Sequence, residues 1–415
     1  MPPNSRHEPI IRDEAGPRCT ARELSRTRLI VEGNREVYIE PVVFVVSGGR
    51  ALLAGKPSYI FAKRQPGAMA EVESRHAVFG AVIEADGTAR TVSQPPVNDG
   101  KVTAVAALAS DGGGWRMIFA EQDSIATGSP PIVNAYWHGI YDGTRWSAIE
   151  RLPSPAGKPL LYFNSSDLTQ SGDTIVWAAL AQVAGSRQGI VIFEKIAGSW
   201  SHHIVSTPFA SRVELAHIPG IGFVLAGVHR DTTAASHRSS VFFYPRRSNW
   251  ELHRKVTPTN NQDLGSAALL FSEGTGTLSW MARTADAADS RWELKAMVGA
   301  IADRDESILT VDRDAIPQFV PVALPGGQVA WVTHHSTDSS DSTETGELRL
   351  VRLSDGTPEM LWRTAHPYLG PFTATAYATS DVLITGPELD KERELLVSLL
   401  IRVRIQCDGS TTPGD

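Results

Sequence analysis

Four arginines, three histidines, two acids and a tyrosine stand at or just beyond recurring apolar runs of this chain, and their side chains bind anions or move protons. Arg64, Arg187, Arg238 and Arg283, with His237 and Asp123, form a candidate ligand-binding set. Arginine presents a planar fork that grips a carboxylate through two parallel hydrogen bonds, which lysine cannot do. His229 and His334 are candidate general bases, with Glu121 or Tyr162 as the acid. Together these types suit the binding, or the hydrolytic or eliminative cleavage, of a polysaccharide in which arginine neutralises a uronate carboxylate. Arginine and histidine are also ordinary residues of a solvated loop. The set therefore carries chemistry only if the fold gathers it.

Other chemistries fail on spacing. His202-His203 and His334-His335 are adjacent pairs, and neighbours on an extended strand point to opposite faces. His229 and His237 flank one stretch but lack the third ligand that a zinc site needs. The acidic run from Asp338 to Glu344 lacks the glycine and the bidentate spacing of a calcium loop. Gly49 to Ser58 resembles a phosphate loop, with Arg50 where the first glycine belongs and Pro57 in place of the Ser or Thr. No Gly-x-Ser-x-Gly elbow is present. No metal and no cofactor are expected.

The elements that must position the candidates are set by an apolar tripeptide recurring seven times: Tyr59-Ile60-Phe61, Met117-Ile118-Phe119, Ile175-Val176-Trp177, Phe223-Val224-Leu225, Leu278-Ser279-Trp280, Val329-Ala330-Trp331 and Val382-Leu383-Ile384. Their last residues lie 58, 58, 48, 55, 51 and 53 apart, the regularity of a repeat array. Each column sits inside four short runs. The clearest are Ser166–Thr169, Asp173–Leu180, Gln188–Lys195 and Ser199–Val205, separated by glycine-bearing turns. Asp86-Gly87-Thr88, Asp142-Gly143-Thr144 and Asp355-Gly356-Thr357 mark the turn from third to fourth run. A four-stranded meander repeated at this period predicts an all-β fold, a seven-bladed β-propeller of antiparallel blades. Expected blades run 36–93, 101–152, 160–206, 211–257, 264–312, 318–363 and 371–406, in one domain spanning 24–406 between tails 1–23 and 407–415. The column tryptophans are expected to pack between blades. In this geometry the second-to-third and blade-to-blade connections share one face, which carries the candidate residues.

The last unit lacks a fourth strand. Arg26–Val31 is a β-prone run before the first unit, and pairing it with Glu394–Ile405 completes the last blade and closes the ring. Antiparallel pairing then places Cys19 beside Cys407, the two cysteines of the chain. A disulfide there predicts an oxidising, extracytoplasmic compartment, periplasmic or secreted. Residues 1–27 carry too many charges for a signal-peptide core, so a cytoplasmic location stays open at this point.

A net charge of -7 disfavours a general nucleic-acid binder. The 31 arginines against 8 lysines still leave room for a local anion site. Val37–Val46 is the strongest membrane candidate, and it is short and interrupted by Glu40 and Pro41. No membrane span is expected.

Tyr141-Asp142-Gly143-Thr144-Arg145-Trp146 resembles the Asp-box of sialidase-like propellers, in which an Asp-Gly turn precedes an aromatic. The resemblance implies the fold. It does not extend to the arginine triad, the Tyr-Glu pair or the acid-base Asp of sialidases, none of which matches residue by residue. Three functions are therefore carried forward: an exported module binding a glycan or protein ligand, a polysaccharide hydrolase or lyase, and a cytoplasmic interaction scaffold.

Overall fold

The computed structural model describes residues 19–31, 35–57, 79–97, 101–122, 133–155, 160–183, 187–206, 210–231, 238–246, 249–250, 254–256, 262–273, 275–284, 291–299, 308–316, 318–336, 346–366, 372–378, 380–390 and 395–407. They form a β-propeller, and among them are seven four-stranded antiparallel sheets. Sheet 1 begins with Ile39–Ser47, sheet 2 with Lys101–Ala109, sheet 3 with Leu160–Ser171 and sheet 4 with Ala210–Ile218. Sheets 5, 6 and 7 begin with Gln262–Ser272, Phe319–Ala323 and Thr373–Tyr377. Each of these first strands neighbours the first strand of the next sheet, and that of sheet 7 returns to that of sheet 1. They are the inner wall of a ring.

Closure is made by the N-terminal segment. Cys19–Arg28 is the outermost strand of sheet 7 and pairs antiparallel with Leu395–Cys407, with Cys19 opposite Cys407. The two cysteines are joined in a disulfide. The strand begins earlier than the expected Arg26–Val31. Its side chains are mostly exposed, so it lacks the apolar signal that marks Leu29 and Val31. Those two are buried for another reason: they enter the core under sheet 1 with Val37, Ile39 and Leu400.

One column is also displaced. Tyr59-Ile60-Phe61 lies outside the described residues, and the second strand of sheet 1 is Arg50–Pro57. Gly48 and Gly49 both take positive φ, which lets a two-residue hairpin turn the chain there. Ala51, Leu52, Leu53 and Ala54 are buried apolar residues of that strand.

The column tryptophans pack between sheets. Trp177 lies against Val105, Ile118 and Ala120 of sheet 2, Trp280 against Ala216 and Val224 of sheet 4, and Trp331 against Ala268 and Met281 of sheet 5. A sheet this small buries its large residues only by stacking on its neighbour. Trp115 follows the same rule toward sheet 1, its Nε1 donating to the Val45 carbonyl at 2.9 Å. Polar ties reinforce the stacking. Arg50 Nη2 donates to the carbonyls of Gly113 at 2.6 Å and Asp142 at 3.1 Å. Tyr377 donates to the Gly49 carbonyl at 2.8 Å.

The Asp-Gly-Thr turns lie between third and fourth strands. Asp86 Oδ1 accepts from the Thr88 amide and hydroxyl, and Asp142 Oδ1 from those of Thr144. These hydrogen bonds, with the threonine hydroxyl the largest cause in each, hold both carboxyls below the usual carboxylate range. Gly87 and Gly143 both have positive φ, but their surroundings differ. A Cβ at Gly87 meets open space, whereas one at Gly143 collides with the Arg50 guanidinium that ties sheets 1 and 2. Gly87→Ala is expected to cost about 1 kcal/mol from backbone strain alone. Gly143→Ala is expected to cost about 2 kcal/mol, because the Arg50 tie moves as well. Urea midpoints of the two variants, compared with the parent, check the difference.

Candidate functional site

Second strands end, and first strands begin, on the same face of the ring, called here the mouth. The strands carry the candidate residues further than the sequence suggests. His229 and Arg238 lie on Gly222–Asp231 and Arg238–Pro245, with Arg238 opposite Asp231 and His229 opposite both Ala210 and Ser240. Arg187 opens the third strand of sheet 3 opposite Val183, and Tyr162 lies on its first strand opposite Leu180. Backbone topology thus brings Tyr162, Arg187, His229 and Arg238 to the mouth ends of two adjacent sheets. Arg64, Asp123 and His237 lie outside the described residues.

Three candidates have described side chains. The guanidinium carbon of Arg283 lies 4.8 Å over the Trp292 ring, an arrangement that orients the planar fork while the aromatic face holds its charge. Glu121 is buried and accepts a hydrogen bond from Trp137 Nε1 at 3.0 Å. His334 is buried, with its ring edge-on to Phe372 at 5.8 Å. Of these, Arg283 is the more accessible; Glu121 and His334 are packed just below the mouth.

The adjacent histidines divide as strand geometry requires. His334 meets Phe372 of the connection into sheet 7, while His335 Nε2 meets Asp312 Oδ2 of sheet 5 at 2.8 Å. His202 packs against Phe193, and His203 lies 3.3 Å from Glu194. Neither pair converges on a common point. Among the described residues no group of three His, Cys, Asp or Glu is placed to hold a metal ion.

Thr333, His335 and Asp312 have the residue types of a nucleophile, base and orienting acid. Thr333 Oγ1 donates to Asp312 Oδ2 at 2.5 Å, the same oxygen that faces His335. Burial pushes the Asp312 carboxyl up, but the hydrogen bonds from His335 and Thr333 outweigh it and hold the group below its ordinary value. Thr333 is fully buried, and its proton is spent on the carboxylate rather than on the imidazole. The trio ties sheet 5 to sheet 6 and offers no nucleophile to a substrate.

Sequence reasoning missed a structural feature of the mouth. The inner strands of five sheets carry a register shift against their partners, between Pro41 and Val43, Ala104 and Ala106, Tyr162 and Ser166, Ala210 and Val213, and Leu264 and Ala267. Four of them lie nearer the mouth end of their strand, and that of sheet 2 lies at mid-strand. A bulge re-aims the side chains beside it and recurs next to functional sites. The accessible sequence signal was small: Gly55 opposite the first bulge, where a Cβ would overlap the Glu40 carbonyl.

No protein-family model matches the chain. No curated protein sequence matches it. Solved structures do. A Dyadobacter fermentans protein described as of unknown function is 10% identical with a TM-score of 0.53, covering 93% of this chain and all (100%) of that one. A puromycin hydrolase mutant complexed with PGG is 14% identical with a TM-score of 0.52, covering 92% of this chain and 55% of that one. This chain therefore spans about half the length of that hydrolase. A Penicillium chrysogenum α-L-arabinanase complexed with arabinobiose is 12% identical with a TM-score of 0.45, covering 74% of this chain and 95% of that one. Likeness at such identities is likeness of fold, and function has to be argued from the site.

Proposed function

We propose that this chain is an exported, seven-bladed propeller that binds a glycan or protein ligand at the mouth, without turnover. The observation that carries the reading is the row of inner-strand bulges in five sheets, which departs from regular pairing toward the mouth in four of them. The candidate residues of sheets 2 to 6 stand on that same face. Arg283, stacked on Trp292, supplies a preoriented fork for a carboxylate or a sugar hydroxyl pair, and Arg187 and Arg238 stand on sheets 3 and 4. Burial of Glu121 and His334 argues for a binding role over proton transfer. The disulfide supports the exported location.

A glycan array that includes uronate-bearing polymers tests the reading. Arg283→Ala is expected to weaken the captured glycan about 5- to 10-fold, the loss of roughly 1 kcal/mol at an oriented ionic contact. Arg145→Ala, on the opposite face with a side chain 84% exposed, is expected to bind as the parent does. Equal loss in both variants, or in neither, would remove the mouth from consideration.

A further inference from the structure

A cleft lies on the other face. We infer that the cleft between sheets 3 and 4, opposite the mouth, binds an uncharged saccharide of one or two rings. Its cavity is about 380 Å³, toward the small end of the roughly 300–1,000 Å³ of small-molecule sites. Glu194, His203, His217, Phe223, Arg246 and Trp250 line it, with Asn249 at the rim.

The polar groups are built into place. The Glu194 side chain is 5% exposed, and its Oε1 accepts from Arg246 Nε at 2.7 Å and Trp250 Nε1 at 3.3 Å. The other oxygen, Oε2, faces the partly exposed His203 at 3.3 Å. His217 stands edge-on to Phe223 at 5.0 Å, and the Arg246 guanidinium lies 5.9 Å from the same ring. Carboxylate, imidazole and amide groups match the hydroxyls of a sugar, and the buried Phe223 and Trp250 give the cleft an apolar floor. One carboxylate is set against one guanidinium, so the cleft has no surplus fixed charge of the kind that selects an organic acid.

Backbone conformation singles out the rim. Asn249 and Trp250 have φ of 51° and 59°, a left-handed pair that non-glycine residues disfavour and that recurs at ligand clamps. Asn249 N donates to the Arg246 carbonyl at 2.8 Å, closing the turn. Glycine adopts these angles freely, so Asn249→Gly removes the amide side chain while easing the fold.

Titration calorimetry of the full chain with D-glucose, maltose and D-glucuronate, read alongside tryptophan fluorescence, tests the inference. Saturable binding of glucose or maltose is expected, reduced at least tenfold in Asn249→Gly and in His217→Ala and unchanged in Arg145→Ala. Glucuronate is expected to bind at least tenfold more weakly than the better neutral sugar. Absence of neutral-sugar binding, preference for glucuronate, or binding that both cleft variants leave intact would overturn it. Loss in Arg283→Ala alone would move the sugar to the mouth. The mouth reading stands or falls separately, because its own test turns on a loss in Arg283→Ala, on the other face.

Discussion

The doubly substituted Cys19→Ser/Cys407→Ser protein is expected to be less stable than the parent by about 2–5 kcal/mol, toward the upper end of what one disulfide contributes. The cross-link spans 388 residues of sequence, and the entropy it removes from the unfolded chain grows with the logarithm of that span. Its position matters as much as its length. Cys19–Arg28 pairs on one side only, with Leu395–Cys407, and most of its side chains are exposed. Without the bond, little apolar burial holds the strand that completes the ring. Arg28 to Glu388 at 2.9 Å and Arg26 to Glu23 at 2.9 Å are partly solvated ion pairs, each worth less than about 1 kcal/mol. Urea unfolding of the parent with and without reductant, with intact mass to follow the thiols, gives the comparison. An unchanged midpoint on reduction would show that the ring closes without the covalent tie.

Acid is expected to weaken the parent by about 3 kcal/mol between pH 6.5 and 4, through one buried histidine. His138 lies between sheets 2 and 3 and is 1% exposed. Arg116 Nη1 donates to its Nε2 at 3.0 Å, so Nε2 holds a lone pair and the proton sits on Nδ1, which donates to Glu150 Oε1 at 2.6 Å. Lys195 also meets Glu150. Burial pushes the His138 pKa down to about 4, Arg116 and Lys195 add to the effect, and Glu150 opposes it. The folded value lies below the unfolded one. The contribution is therefore complete above pH 6.5 and is lost as the pH falls through that window toward 4, where the unfolded chain takes up a proton that the fold refuses. His138→Gln offers an amide oxygen to Arg116 and an amide N–H to Glu150 without titrating. Its urea midpoint is expected to be nearly level across this window while the parent's falls. Parallel decline in both proteins would assign the acid sensitivity elsewhere.

The fold was legible because packing between sheets imposes a period on large apolar residues. Trp177, Trp280 and Trp331 recur where a second strand stacks on the preceding sheet, and the Asp-Gly-Thr turns recur where a third strand must reverse. Reading failed where that physics is absent. Cys19–Arg28 is a polar edge strand with no apolar alternation, so the eye passes to Leu29 and Val31, which are buried in another layer. In the first unit the Gly48-Gly49 turn starts the second strand at Arg50 and the strand runs to Pro57, ahead of Tyr59-Ile60-Phe61. The candidate site was less legible than the fold. The repeat points to the mouth for His229, Arg187 and Arg238 but leaves them in connections, whereas the strands reach far enough to include them; burial of Glu121 under Trp137 and of His334 against Phe372 depends on side chains of other strands and connections. The cleft of Glu194, His217 and Trp250 left almost no trace, since its residues come from two sheets and its distinguishing backbone angles have no composition signal.

Binding without turnover is tested most directly by incubating the parent with the glycan it captures while following new reducing ends and unsaturated products. Saturable binding with no product above a protein-free control is the predicted result. Product formation that disappears in His229→Ala or His334→Ala would contradict it and assign a hydrolase or lyase to the mouth.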